Sequence, residues 1–277
     1  VQEALDHLAA LFRTQGLFRG RFACYDFVIL VNAETAEALL SSNQVLQKAI
    51  EYTMFKPWLN TGLLTSEPKK WKKRRKLLTP SFHFRILKYF ISIIDFHSNV
   101  LVEKLKNASE EAIDLVKCIP LAMLDTICET AMGVSLEAQK CQESEYINAV
   151  LEASELLLER FFRLDYISDF LYFRTKAGKR FKQVAELMRN FTLYVINKRK
   201  KSLIEERQAG KTEKERDTSI FFGSTKKKTL FMDLLLQLHL ETLKPDGSSD
   251  FNLEDIREEV DTFMFEGFDT TSSAITK

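Results

Sequence analysis

Apolar positions recur along this 277-residue chain mainly with a period near 3.6, the spacing of amphipathic helices. "QEALDHLAALFRTQG" opens it as a helix that Gly16 can close with left-handed backbone. Two runs, about 17–24 and 26–31, alternate with period two instead and predict an antiparallel hairpin over 17–31. Asn32 then caps a helix across 33–41. The loop "KPWLNTGLLTSEP" precedes "KKWKKRRKLL", a helix bounded at 66–79. Ser66 is its predicted N-cap, Glu67 and Pro68 suit its first turn, and Pro80 stops it.

Further helices are predicted from Phe84 to about Leu105, over "CIPLAMLDTICETAMG" to Gly133, and over "SEYINAVLEASELLLERFFRL". The aromatic stretch "DYISDFLYF" joins the last of these to the long "TKAGKRFKQVAELMRNFTLYVINKRKKSLIEERQ". Residues 209–228, polar and lysine-rich, read as a mobile surface loop before the short helix "TLFMDLLLQLHLE". Asn252 caps a final helix over 252–277, with Glu254 and Asp255 in its first turn. About nine helices and one hairpin make a mainly α fold, and no clear boundary divides 1–277.

Composition sharpens this picture. Hydrophobic residues are 45% of the chain, enough for a sizeable core, and nine glycines and five prolines are few for an irregular protein. A net charge of +1 argues against a globally basic nucleic-acid binder. Cys24, Cys118, Cys128 and Cys141 form no CxxC pair, and no HExxH occurs, which disfavours a structural zinc site or a disulfide framework. No apolar run reaches the length of about 18 residues that a spanning helix needs. The chain starts at Val1, and its periodicity is still running at Lys277 without a C-capping signal, so a longer parent protein is expected.

The closing helix carries an anomaly, "FMFEGFDTT". Glycine there costs about 1 kcal/mol and Asp or Thr up to about 0.7 each in propensity. Glu266 and Thr270 fall about 6 Å apart on one face, preceded by Phe263 and Val260, with Gly267 leaving a notch beside them. The Thr270 hydroxyl can bond back to a carbonyl one turn earlier. Two readings are open on these residues alone: a helix-crossing point, or a small-molecule site. Likewise "KKWKKRRK" suits a solvated basic face or a localisation-type patch.

"EGFDTT" resembles the oxygen-activation motif of the cytochrome P450 superfamily, and the wider "EEVDTFMFEG…DTTSSAI" resembles its family 4, the fatty-acid omega-hydroxylase branch with many insect members. Upstream, "GLLTSEPKKWKKRRKLLTPSFHFRIL" is similar to that family's C-helix, whose Trp-x-x-x-Arg signature Trp71 and Arg75 match. The resemblance implies an incomplete P450 fold, helices A to I plus the first hairpin, with 66–79 as C-helix and 252–277 as I-helix. An indole N–H and a bidentate guanidinium suit a haem propionate, so Trp71 and Arg75 would bind the cofactor with Glu266 and Gly267. Glu266 stands where many members of this branch ester-link a haem methyl. Thr270 would hold a water that relays protons to dioxygen, and Asp269 would connect that relay to solvent. Val260 and Phe263 would line the substrate pocket with loop 57–65, and "DYISDFLYF" would touch the access channel and the membrane.

The resemblance further implies an endoplasmic-reticulum monooxygenase acting on a fatty acid, other lipid or hydrophobic xenobiotic, with electrons from NADPH through a reductase. That reductase would dock near the basic face Lys69–Lys76, whose remaining members would ring the exposed side. No nucleic acid is implied. Phe268 stands where the branch usually places histidine. None of the four cysteines lies in a Phe-x-x-Gly-x-x-x-Cys context, so no metal ligand is assigned and the chain as it stands is expected to be inactive. The alternative is a non-enzymatic helical lipid-binding or interaction protein.

Overall fold

A computed structural model describes residues 2–22, 25–107, 114–141, 143–166, 168–208, 230–245 and 248–276. The expected loop 209–228 and Cys24 lie outside the described residues. The chain divides into two compact units, 1–49 and 50–277.

In the first unit, helix α1 (Gln2–Leu11) leads into strands β1 (Leu17–Phe22) and β2 (Tyr25–Leu30), then helix α2 (Ala33–Leu40). The strands pair antiparallel from Leu17↔Leu30 to Phe22↔Tyr25. Gly16 turns the chain at φ +79°, a conformation that costs glycine little. Its carbonyl accepts from the Val31 amide at 2.9 Å and the Thr35 hydroxyl at 2.8 Å. Asn32 caps α2 by accepting from the Thr35 amide at 3.0 Å.

Among the described residues, the regular elements of the second unit are helices apart from one isolated bridge, Leu243↔Ser249. A 3₁₀ turn (Ile50–Phe55) precedes α3 (Lys56–Leu59) and α4 (Pro68–Leu78). Next come α5 (Phe84–Asn107), α6 (Leu115–Thr130), α7 (Glu145–Phe162), α8 (Asp169–Tyr172), α9 (Lys176–Gln208), α10 (Phe231–Glu241) and α11 (Leu253–Thr276). Helix α11 is the centre of packing and touches α3, α6, α9 and α10, while α5 lies on the far side of α6 and α7 rests on α9. Its buried stripe is Ile256, Val260, Met264 and Phe268, one residue per step of four, so the stripe winds slowly around the helix. Each such side chain contributes about 1.5–3 kcal/mol on burial.

Helix α4 begins at Pro68, with Glu67 in the N-cap position and no side-chain cap. Ser66 is therefore not the cap that the sequence suggests. Its hydroxyl is buried without a hydrogen-bond partner, and proline at the first helical position has no amide to satisfy. At the other end the chain tightens into a 3₁₀ turn over Thr79–Phe82. Helix α11 opens on a reciprocal cap: Asn252 Oδ1 accepts from the Asp255 amide at 3.0 Å, and Asp255 Oδ2 accepts from the Asn252 amide at 2.9 Å.

Between α7 and α9, the aromatic stretch splits in two. The buried Arg160 guanidinium donates to the Tyr166 carbonyl at 3.1 Å, pairs with Asp169, and lies 4.2 Å over the Tyr172 ring. Tyr166 and Tyr172 are thereby buried, whereas Phe170 and Leu171 remain exposed.

Candidate functional site

Helix α4 and the loop before it dock on the first half of α11 through buried carboxylates. Gly62 sets the closeness, because a Cβ there would overlap the Glu258 carbonyl and the Thr262 hydroxyl. Glu258 Oε2 accepts from the Thr61 amide at 3.3 Å and its hydroxyl at 2.9 Å, and Glu259 Oε2 accepts from the Leu63 amide at 3.1 Å. From α4, Lys70 pairs with Glu258 and donates to the Thr61 hydroxyl at 2.8 Å. Arg74 reaches Asp255 at 2.5 Å, Glu258 at 3.3 Å and Glu259 at 3.7 Å, and its guanidinium lies 4.4 Å over the Phe251 ring. On the next face of α11, Arg257 pairs with Asp261 and Glu254 and donates to the Trp58 carbonyl at 3.3 Å.

Burial on this scale moves the acids. Glu259, with no exposed surface, is pushed up to about 7 by desolvation, against the pull of Arg74 and the Leu63 amide. Asp261 is likewise pushed up to about 7 by desolvation, against Arg257. Glu254 is held below the usual carboxylate range by its hydrogen bonds from Arg257.

These contacts correct the expectation that Lys69, Lys70, Lys72, Lys73, Arg74 and Lys76 all ring an exposed face. Lys70 and Arg74 turn inward, because the acids of α11 stand opposite them at 255, 258 and 259. Lys69, Lys72, Lys73, Arg75 and Lys76 are exposed. Trp71 is half-buried beside the seam. Among the described residues, neither the Trp71 indole N–H nor the Arg75 guanidinium has a hydrogen-bonding or ionic partner. Adjacent arginines thus have opposite fates.

Farther along α11, Phe263 lies between the Phe82 ring at 5.3 Å and the Phe231 ring at 4.5 Å. Val260 is fully buried in the core. The Thr270 hydroxyl donates to the Glu266 carbonyl at 2.6 Å, and Thr271 donates to the Gly267 carbonyl at 3.0 Å. Thr270 is exposed, while Glu266 and Asp269 are half-buried. Partial burial raises the Asp269 pKa above the ordinary carboxylate value. The notch at Gly267 is filled: a Cβ there would lie 2.7 Å from Ile127 Cδ1 of α6. Phe268 points the other way, 1% exposed and 6.0 Å from the Tyr146 ring, so an apolar ring suits its surroundings.

The sequence candidates therefore fall on two lines, Trp71 and Arg75 on α4 and Glu266 to Thr270 on α11. The α4–α11 seam and the Phe82–Phe263 contact run α4 and its following turn alongside α11. An open groove of about 770 Å³ between α7 and α9, lined by Tyr146, Lys182, Leu187 and Phe191 among others, includes none of these candidates. Sequence reasoning missed Lys70, Arg74, Asp255, Glu258 and Glu259. Their signal was an i, i+4 basic pair facing acids at i, i+3 and i+4.

Comparison with known proteins decides the family. The family model described as cytochrome P450 matches residues 4–277. The chain belongs to the cytochrome P450 family. "Probable cytochrome P450 4s3" of Drosophila melanogaster is 39% identical over 275 residues, 99% of this P450 chain and 54% of that protein. Cytochrome P450 4V2 of Homo sapiens is 40% identical over 249 residues, 90% of this chain and 46% of that protein. The chain spans about half the length of the curated relatives it matches. A crystal structure of a cytochrome P450 (CYP102L1) aligns with TM-score 0.67 at 17% identity, covering 97% of this chain and 56% of that one. The haem domain of cytochrome P450DA aligns with TM-score 0.69 at 19% identity, covering 96% and 52%. The architecture is a mainly α, incomplete P450 fold.

Proposed function

We propose that this chain belongs to a haem-thiolate monooxygenase that hydroxylates a fatty acid, another lipid or a hydrophobic xenobiotic, using O2 and NADPH-derived electrons. The observation that carries the reading is the state of α4: it is fixed against α11, yet Trp71 and Arg75 keep their donors free beside it. A guanidinium and an indole N–H without protein partners fit a porphyrin carboxylate by donor chemistry and charge.

Haem, when bound, supplies the redox chemistry and the oxygen insertion. The chain's own residues supply the rest. Trp71 and Arg75 would hold a propionate. Thr270, whose hydroxyl donates a hydrogen bond to the Glu266 carbonyl, can exchange that bond for a water and orient it. Asp269, with its pKa raised by burial, takes up a proton more readily than an exposed aspartate and hands it toward that water. Glu266, half-buried on the same line, would supply the carboxyl for an ester to the haem periphery; esterification would remove the cost of desolvating its charge. Gly267 shapes this stretch through its contact with Ile127. Phe263, half-buried, forms the substrate-facing wall, and Val260 supports it from the core.

The exposed Lys69, Lys72, Lys73 and Lys76 are the cations left to meet a reductase. Exposed Phe161, Phe162, Phe170 and Leu171 favour contact with an endoplasmic-reticulum membrane surface. Among the described residues, no helix is long and apolar enough to cross a membrane. Cys128 is buried and its thiol is pushed far up by desolvation, so it stays protonated and is unsuited to serve as an axial thiolate. None of the four cysteines lies in a Phe-x-x-Gly-x-x-x-Cys context, and on that ground these 277 residues alone are expected to be inactive.

The test is a Soret band, and its shift with carbon monoxide after reduction, in the complete natural protein, followed by Thr270→Ala. The variant should keep the band and consume NADPH with less product per equivalent. Absence of the band in the wild-type protein would sink the reading and favour a helical lipid-binding protein.

A further inference from the structure

Helix α4 poses a mechanical problem. From Pro68 to Leu78 its only large apolar side chains are Trp71, Leu77 and Leu78, and just Leu78 and Arg74 are buried. Little apolar area in the first two turns fixes the rotation of the helix about its own axis. Five of its six residues from Lys69 to Arg74 are basic, so several faces could meet an acidic partner almost equally well.

The seam resolves this degeneracy. Lys70 and Arg74, one turn apart, both meet Glu258, and Arg74 also meets Asp255 and Glu259. Attachment at two points about 6 Å apart along the axis fixes rotation and axial position together. Phe251 closes the cage with its ring 4.4 Å from the guanidinium carbon. Arg75 follows Arg74 by about 100° of helix rotation. Once Arg74 is caged, Arg75 and Trp71 are aimed away from the acids and keep their donors free.

We propose that Arg74, assisted by Lys70, is a positioning residue: caged by Asp255, Glu258 and Glu259, it aims the Arg75 guanidinium and the Trp71 indole at a porphyrin propionate. This rests on the haem reading above. Without the cage, Arg75 is itself a competitor for the same carboxylates, and a slip of one residue exchanges the two arginines. Burial of Glu259 lessens the excess of negative charge in the cage. Two cations face three carboxyls, of which Glu259 carries a proton for part of the time near neutral pH.

The test compares haem with haem dimethyl ester, which lacks the propionate charges, by Soret titration of the complete apoprotein. Wild type should prefer haem, and Arg75→Gln should remove most of that preference. Arg74→Gln should lower the preference by about tenfold, the usual scale for losing a group that orients a ligand-binding side chain. Arg74→Lys should restore most of it. If Arg74→Gln weakens both ligands equally, or neither, Arg74 only supports the fold and the inference is overturned. If Arg75→Gln leaves the preference intact, the propionate assignment falls and takes the inference with it. Should Arg74→Gln not fold, Lys70→Gln, at the half-exposed end of the cage, should lower the preference in the same direction; an unchanged ratio there overturns the inference as well.

Discussion

Alanine at position 267 would place a methyl 2.7 Å from Ile127 Cδ1 and 2.8 Å from Cγ1. That is about 1 Å inside ordinary carbon–carbon contact. The obstacle is the end of a flexible side chain, so Ile127 can turn aside, at an overpacking cost of about 1–3 kcal/mol. Against this, alanine is favoured over glycine in a helix interior by about 1 kcal/mol. The single substitution should therefore destabilise by about 0–2 kcal/mol, too broad a range to be decisive alone. The double-mutant cycle is decisive. Ile127→Ala leaves only Cβ, 3.5 Å from the new methyl, which is ordinary contact. Alone it should cost about 2 kcal/mol, the low end for a half-buried site. In that background Gly267→Ala should stabilise by about 1 kcal/mol, since the clash is gone and the propensity gain remains. Urea denaturation of the four proteins then gives a coupling energy of about 1–3 kcal/mol, the size of the overpacking cost. If the two changes add within about 0.3 kcal/mol, the notch is not a crossing point for Ile127 and the packing argument fails.

Two other predictions concern buried titratable groups. Glu259 rises from an ordinary 4.5 to about 7 on folding. Folding thus favours its protonated form, and the associated stability is complete below pH 4.5 and lost as pH climbs through about 7. That displacement corresponds to about 3 kcal/mol. Asp261, also near 7, adds a second share of the same sign. Stability should therefore rise on acidification from pH 8 to 5, and Glu259→Gln should roughly halve that slope; equal slopes for the two proteins would refute it. Cys128 is fully buried with its thiol pushed far up, whereas Cys141 is exposed. A maleimide should label Cys141 in the native protein and Cys128 only after unfolding. Labelling at equal rates would contradict the packing of α6.

What the sequence made legible was local. Pro68 and Pro80 bracket α4, Asn252 starts α11, and the Thr270 hydroxyl bonds back to Glu266 as its position in the helix suggests. What stayed hidden depended on partners far along the chain. Gly267 marked a notch, but nothing near it named Ile127, 140 positions earlier, as the occupant. Lys70 and Arg74 looked solvated because a run such as "KKWKKRRK" normally is, and the acids that bury them lie in a segment whose own pattern suggested only a charged first turn. Burial of a charge is a property of pairs. A single-chain pattern shows it only when complementary stripes are sought across distant helices.

The same separation sets a schedule for biosynthesis. Arg74 and Glu258 are 184 residues apart. At a synthesis rate of about 5–20 residues per second, α4 is made on the order of 10–40 s before its carboxylates exist. During that interval Lys70 and Arg74 have no α11 carboxylates to pair with. The segment that fixes α4 is thus among the last of these residues to be made, which places assembly of this seam after translation of α11.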